Sequence, residues 1–346
     1  MLQNESVNLN STFMTFYNTY ISEYLSTFTK KNNTMKKQLI DYIYTQLMRQ
    51  DLSKLPCYLK GGTMEIFLFL ALYSEIKGSE EARYMASIIL ADTHKKELNN
   101  QPYSLLKGRL GVSWGIQYLA NKNILEVDDE TMKFRSIGMQ DCMSYRLLAP
   151  IAMSKDDLIF SSGIYMSQLR MPKDSSEEYT HNERIIILLD ECERLLLHSI
   201  PLIYNPSEMP LSMLHSILYF LLQADKTGIY PFLTRKLLKY ATQLYYKIIN
   251  RGTLSDQYIC LFLMNKSNTL LQEISDDQAS IDFIANLGFY SLLYDTPQIF
   301  SSPFQLMHKN QAFTKYIKEQ IQEGSLGIST LCGLGFGLLN MEGGIS

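Results

Sequence analysis

The chain has 346 residues, of which 46% are apolar and 19% charged, below the roughly 25% charged content of an average soluble domain. Such a chain buries a large core and is not disordered. Its 32 basic and 35 acidic residues leave a net charge of -3, which excludes the basic excess of a dedicated nucleic-acid binder. Gly (18) and Pro (10) are scarce, so helices are expected over a turn-rich β fold.

At the N-terminus, MLQNESVNLNSTFMTFYNTY has no basic segment leading into an apolar one, so no signal peptide is expected. Residues 1–40 are expected to form a helical extension to a single domain spanning 1–346. The longest apolar runs are Met64 to Tyr73 and Leu211 to Leu222. Both are too short for a membrane span and read as buried helices. The five cysteines, Cys57, Cys142, Cys192, Cys260 and Cys332, form no CxxC pair and leave an odd one over. Reduced thiols and a cytoplasmic location are the expectation.

From about residue 55 to 340 one unit recurs: a small or glycine-bearing start, an apolar helix, a polar break, then an amphipathic helix. The first follows Gly61 and Gly62, with an apolar helix through Ile76, a turn at KGSEE, and a second helix from about Glu81 to Glu97. The second starts in LLKGRLGVSWGIQYLANKN with Gly108, Gly111 and Gly115. The third lies around Gly163 and is followed by the periodic NERIIILLDECERLLLH. A fourth, PLSMLHSILYFLLQADKTGIYP, lacks the leading glycines and is partnered by LTRKLLKYATQLYYKII. A weaker fifth runs through QYICLFLMNKSNTLLQEI, a sixth surrounds Gly288, and the last is GSLGISTLCGLGFGLLNM. Most starts are about fifty residues apart, the length of a helical hairpin with its connections. An all-round apolar first helix must be buried, and an amphipathic second helix faces water. An all-α fold follows: a closed (α/α) toroid, or barrel, of about six or seven helical hairpins. The leading glycines let backbones approach closely.

LLKGRLGVSWGIQYLANKNILEVDDE and the terminal LGISTLCGLGFGLLN resemble the glycine-rich repeats of the lanthionine synthetase C-like family. The resemblance spans about Gly61 to Asn340 and implies the same toroid. It further implies a bacterial peptide-modification protein that adds cysteine thiols to dehydrated Ser or Thr. The zinc it implies is held by two Cys and one His, from a Trp-Cys-x-Gly and a Cys-His-Gly stretch. This chain has neither dipeptide: its single Trp, Trp114, is far in sequence from any Cys, and Leu331 and Cys332 stand where the Cys and His belong. A rearranged zinc site would have to use Cys260, His308 and Cys332. The alternative is that both cysteines fill the core and that His308 sits at the surface beside Lys309.

Three further residues are cavity candidates. His215 opens an inner helix and can line a central cavity or be a satisfied core histidine. Glu65 is an acid inside an apolar helix, costly to bury without a partner such as Arg109. Arg109 and Lys107 flank a helix start that could receive a carboxylate or simply be solvated. His94, His181 and His198 are expected to face solvent. The pairs Asp128/Asp129, Asp156/Asp157 and Asp276/Asp277 read as inter-helix positions, some as helix caps. No P-loop, nucleophile elbow or dinucleotide motif is present. The expected function is a zinc-free, non-catalytic lanthionine synthetase C-like component that binds a peptide substrate or a peptide-modifying partner enzyme, with no cofactor. A cyclase with a rearranged zinc site and a carbohydrate-active toroid with two facing acids are the alternatives.

Overall fold

A computed structural model describes residues 35–95, 104–126, 163–164, 175–197, 209–268, 270, 280–308 and 311–342. It contains helices and no strand among the described residues. We label the helices α1 (35–48), α2 (Thr63–Lys77), α3 (Glu80–Lys95), α4 (Arg109–Asn121), α5 (Ser175–Leu197) and α6 (Leu211–Thr227). They continue with α7 (Pro231–Ile248), α8 (Leu254–Leu263), α9 (Ile281–Leu293), α10 (Gln298–His308), α11 (Gln311–Glu323) and α12 (Ile328–Glu342).

The apolar runs become the inner ring. Every residue of α2 from Thr63 to Ser74 is buried, because no polar stripe runs along that helix to face water. Its ends follow local rules: Gly62 caps the start without a side chain, and Gly78 at φ 65° turns the chain out of the helix in the left-handed conformation that glycine tolerates. α4, α9 and α12 are buried in the same continuous way. Around the ring α2 packs on α4, α6 on α8, α8 on α9, α9 on α12, and α12 back on α2. Gly163 lies against Phe220 of α6. The amphipathic helices form the outer layer: α3 packs on α2, α7 on α6, α5 against α6 and α7, and α10 on α9, with α11 on α10. This is the (α/α) toroid expected from the repeats.

The closest inner contact is between α9 and α12. A methyl on Gly288 would fall on the carbonyl of Gly333, and one on Gly333 on the carbonyl of Ala285, so the two backbones touch where side chains normally separate helices. α1 lies outside this junction. Ile43 reaches the space beside Gly335, Tyr44 stacks on Tyr73 with ring centroids 4.4 Å apart, and Gln46 Nε2 donates to the Gln322 carbonyl at 3.5 Å. An outer helix from the start of the chain thus covers the junction of α2 with α12. The described part of the expected N-terminal extension, from residue 35, is the beginning of α1. The rest lies outside the described residues.

No helix among the described residues is long and apolar enough to cross a membrane. His181, expected to face solvent, is buried at 6% exposure on α5, on the same side of the helix as the buried Arg184. His198, Cys142 and the three Asp pairs lie outside the described residues, as does the side chain of His94.

Candidate functional site

Several inner helices bring polar residues of their N-terminal halves to one end of the ring. Glu65, in the first turn of α2, is completely buried. Its Oε2 accepts from the Gly61 backbone N–H at 2.5 Å and from Ser329 Oγ, at the start of α12, at 3.0 Å. Its Oε1 is buried without a hydrogen-bond partner. Burial raises the carboxyl pKa to about 7, against the opposing pull of the Gly61 and Ser329 hydrogen bonds and of Lys60.

Lys60 precedes α2 in the loop whose backbone pairs with the neighbouring one, Lys60 N–H donating to Leu106 O at 3.1 Å. Its ammonium donates to Asn286 Oδ1 of α9 at 3.0 Å. It lies 4.8 Å from the centre of the Phe289 ring and 5.5 Å from that of Tyr290, where the ring faces attract a cation. Burial lowers its pKa, while the charges of Glu65 and Asp256 pull it back up.

His215, on α6, is fully buried. Its Nε2 is 3.3 Å from Asp256 Oδ1 and its Nδ1 2.6 Å from the Tyr294 hydroxyl. A carboxylate only accepts, so Nε2 carries the proton and Nδ1 accepts from Tyr294 O–H. Burial pushes the imidazole pKa down, against the pull of Asp256, and favours the neutral ring. Asp256 Oδ2 accepts from the Thr253 backbone N–H and hydroxyl at 2.9 and 2.8 Å, closing the capping box of α8. Burial opposes its charge, but the bonds from His215 and Thr253 outweigh that and hold the carboxyl below its usual range. The result is a Tyr294–His215–Asp256 chain in one ring end with the buried Glu65 and the Asn286-bound Lys60. It is a largely self-satisfied polar centre inside an apolar ring.

Glu65 and His215 both belong to this centre. The cation beside Glu65 is Lys60, which the sequence reading passed over. Arg109 is the half-buried first residue of α4. Lys60, Asn286, Asp256, Tyr290 and Tyr294 were missed. Only Asp256 had a local signal, since Thr253 followed by an acid three residues later is the spacing of a capping box.

The zinc implied by the family resemblance does not fit these residues. Cys260 and Cys332 are fully buried on α8 and α12, two helices separated in the ring by α9. The Cys260 thiol points at the Leu211 carbonyl, 3.9 Å away, and burial pushes both thiols far above their ordinary pKa. The side chain of His308, at the end of α10, lies outside the described residues. Among the described residues no three His, Cys, Asp or Glu side chains are grouped to hold a metal ion.

No family model matches the chain, and no curated protein sequence matches it. Among solved structures, a nisin cyclase is similar with a TM-score of 0.57 and 14% identical residues, covering 91% of this chain and 95% of that one. At that identity the likeness concerns the toroid itself.

Proposed function

We propose that the chain is a lanthionine synthetase C-like protein that works without zinc, binding a peptide substrate or a peptide-modifying partner rather than closing thioethers. The observation that carries this reading is Lys60. A thioether-forming zinc site needs three converging donors and an open position for the substrate thiolate. At this ring end an ammonium, hydrogen-bonded to Asn286 and within the electrostatic influence of Glu65 and Asp256, is present instead. A resident side-chain cation repels a divalent metal and supplies no exchangeable position for a thiolate. The likeness to a nisin cyclase supports a peptide as the ligand, as does the repeat resemblance.

The test is incubation with a dehydrated, cysteine-containing peptide, followed by thiol alkylation and mass measurement. The peptide is expected to bind with its thiol still free. Loss of the alkylatable thiol, dependent on the protein, would show a working cyclase.

His215 and Asp256 motivate a second reading, an acid–base lyase. Both imidazole nitrogens are engaged and the ring is inaccessible, so this reading requires the Tyr294 bond to open. It predicts that His215→Gln abolishes any thiol addition. For the carbohydrate-active alternative, the acids of this centre among the described residues are Glu65 and Asp256, and Asp256 is committed on both oxygens, which disfavours it as the second carboxylate of that chemistry.

A further inference from the structure

The outer face of α7 departs in charge from the rest of the molecule. From Lys226 to Ser255 the sequence carries six cations (Lys226, Arg235, Lys236, Lys239, Lys247 and Arg251) and no carboxylate, in a chain of net charge -3. The helix buries Leu237, Ala241, Leu244 and Ile248 against the ring and turns its basic stripe outward. Arg235 and Lys236 reach Asp225 and Glu193 at the edges of this face, 3.4 and 3.2 Å away. Lys239 and Lys247 make no ion pair among the described residues and are exposed.

Large rings stand between these charges. Phe232 is 91% exposed, Tyr246 55% and Tyr240 40%. Exposed aromatic side chains are enriched at protein interfaces, with charges at their rim. At the C-terminal end of the helix the face runs into a cleft of about 530 Å³ between α7 and the segment after α8. Ile249, Leu261 and Leu270 line it, and Asn265, Asn268 and Lys266 complete its wall. Lys266 Nζ donates to Tyr246 O–H at 2.9 Å, which ties the wall of the cleft to the aromatic stripe.

We propose that this face and its cleft dock an acidic peptide segment, with carboxylates on Lys239 and Lys247 and one apolar side chain seated in the cleft. A recess with side-chain amides suits a polypeptide, whose backbone can use Asn265 and Asn268. A planar anionic lipid surface has no group to fill it. The proposal rests on the reading of the chain as a peptide- or partner-binding protein, and it places one contact on the outside of the ring, away from the Lys60 centre.

The experiment is fluorescence anisotropy of the full chain with a short fluorescein-labelled, Glu-rich peptide carrying one Leu-Phe pair. The same peptide with Lys for Glu and phosphatidylglycerol vesicles serve as alternative probes. The Glu-rich peptide is expected to bind. Lys239→Glu/Lys247→Glu is expected to weaken it about tenfold or more, with a steep loss in salt, and Tyr246→Ala to weaken it about tenfold. The charge-matched surface variant Lys37→Glu/Lys315→Glu should bind as the parent does. Absence of binding, equal affinity for the Lys peptide, insensitivity to the α7 substitutions, or capture by vesicles in place of the peptide would each overturn the proposal. If this docking fails while a dehydrated peptide still binds with its thiol free, only the α7 assignment falls.

Discussion

Glu65 is the residue whose chemistry is most exposed to test. Its carboxyl ionises near pH 4.5 when solvated and near 7 when folded, so the unfolded chain releases the proton first as pH rises. Between those two values the folded state binds more protons than the unfolded one, and stability falls with rising pH, by roughly 3 kcal/mol over the window. Above about 7 this contribution is constant. Glu65→Gln keeps an acceptor for Gly61 and Ser329 and removes the titration, so urea melts at pH 5 and pH 8 should differ less for the variant than for the parent. Equal pH dependence in both would mean that Glu65 is not the group involved. Lys60→Met removes a cation that interacts electrostatically with Glu65 and Asp256, and the bond to Asn286. It should destabilise the fold by about 2 kcal/mol at pH 8 and less at pH 5, where Glu65 is protonated. Glu65 was legible because an acid inside MEIFLFLALY has to be explained. Lys60 was not, because YLKGG reads as an ordinary loop and its partner Asn286 is 226 residues away. The same distance problem hid Tyr294 from His215, 79 residues apart.

At the scale of elements, helix faces were readable and helix partners were not. Continuous apolarity in α2 and a clean polar stripe in α7 decide inner from outer without any structure. The expected helix from Glu81 to Glu97 is found as Glu80–Lys95. Pairing is decided by surface shape, which periodicity does not encode. Gly288 and Gly333 announce a close approach but not to each other. Their contact gives a sharp prediction. Gly288→Ala or Gly333→Ala must push α9 and α12 apart and should cost at least about 2 to 3 kcal/mol by chemical denaturation. Gly327→Ala, with open space around the new methyl, should stay within about 1 kcal/mol. Similar losses at all three sites would remove backbone contact as the explanation.

For the molecule as a whole, the repeat spacing made a ring legible, while its covering by the N-terminal helix was not. The expected helical extension over 1–40 is described only from residue 35, where α1 begins; α1 continues to residue 48 and covers the α2–α12 junction. Ile40 and Ile43 are fully buried there. Ile40→Ala and Ile43→Ala should each lower global stability by about 2 to 4 kcal/mol, with near-UV and far-UV signals lost together. Loss of α1 helicity alone, before the main transition, would show it to be a separate attachment.

The proposed zinc-free function rests on the part-buried Lys60 ammonium at the polar end of the toroid. The most direct measurement is the zinc content of protein produced in zinc-supplemented medium and desalted, by elemental mass spectrometry. The account predicts far less than one zinc per chain, unchanged by Cys260→Ala or Cys332→Ala. One zinc per chain, lost when either cysteine is replaced, would contradict it.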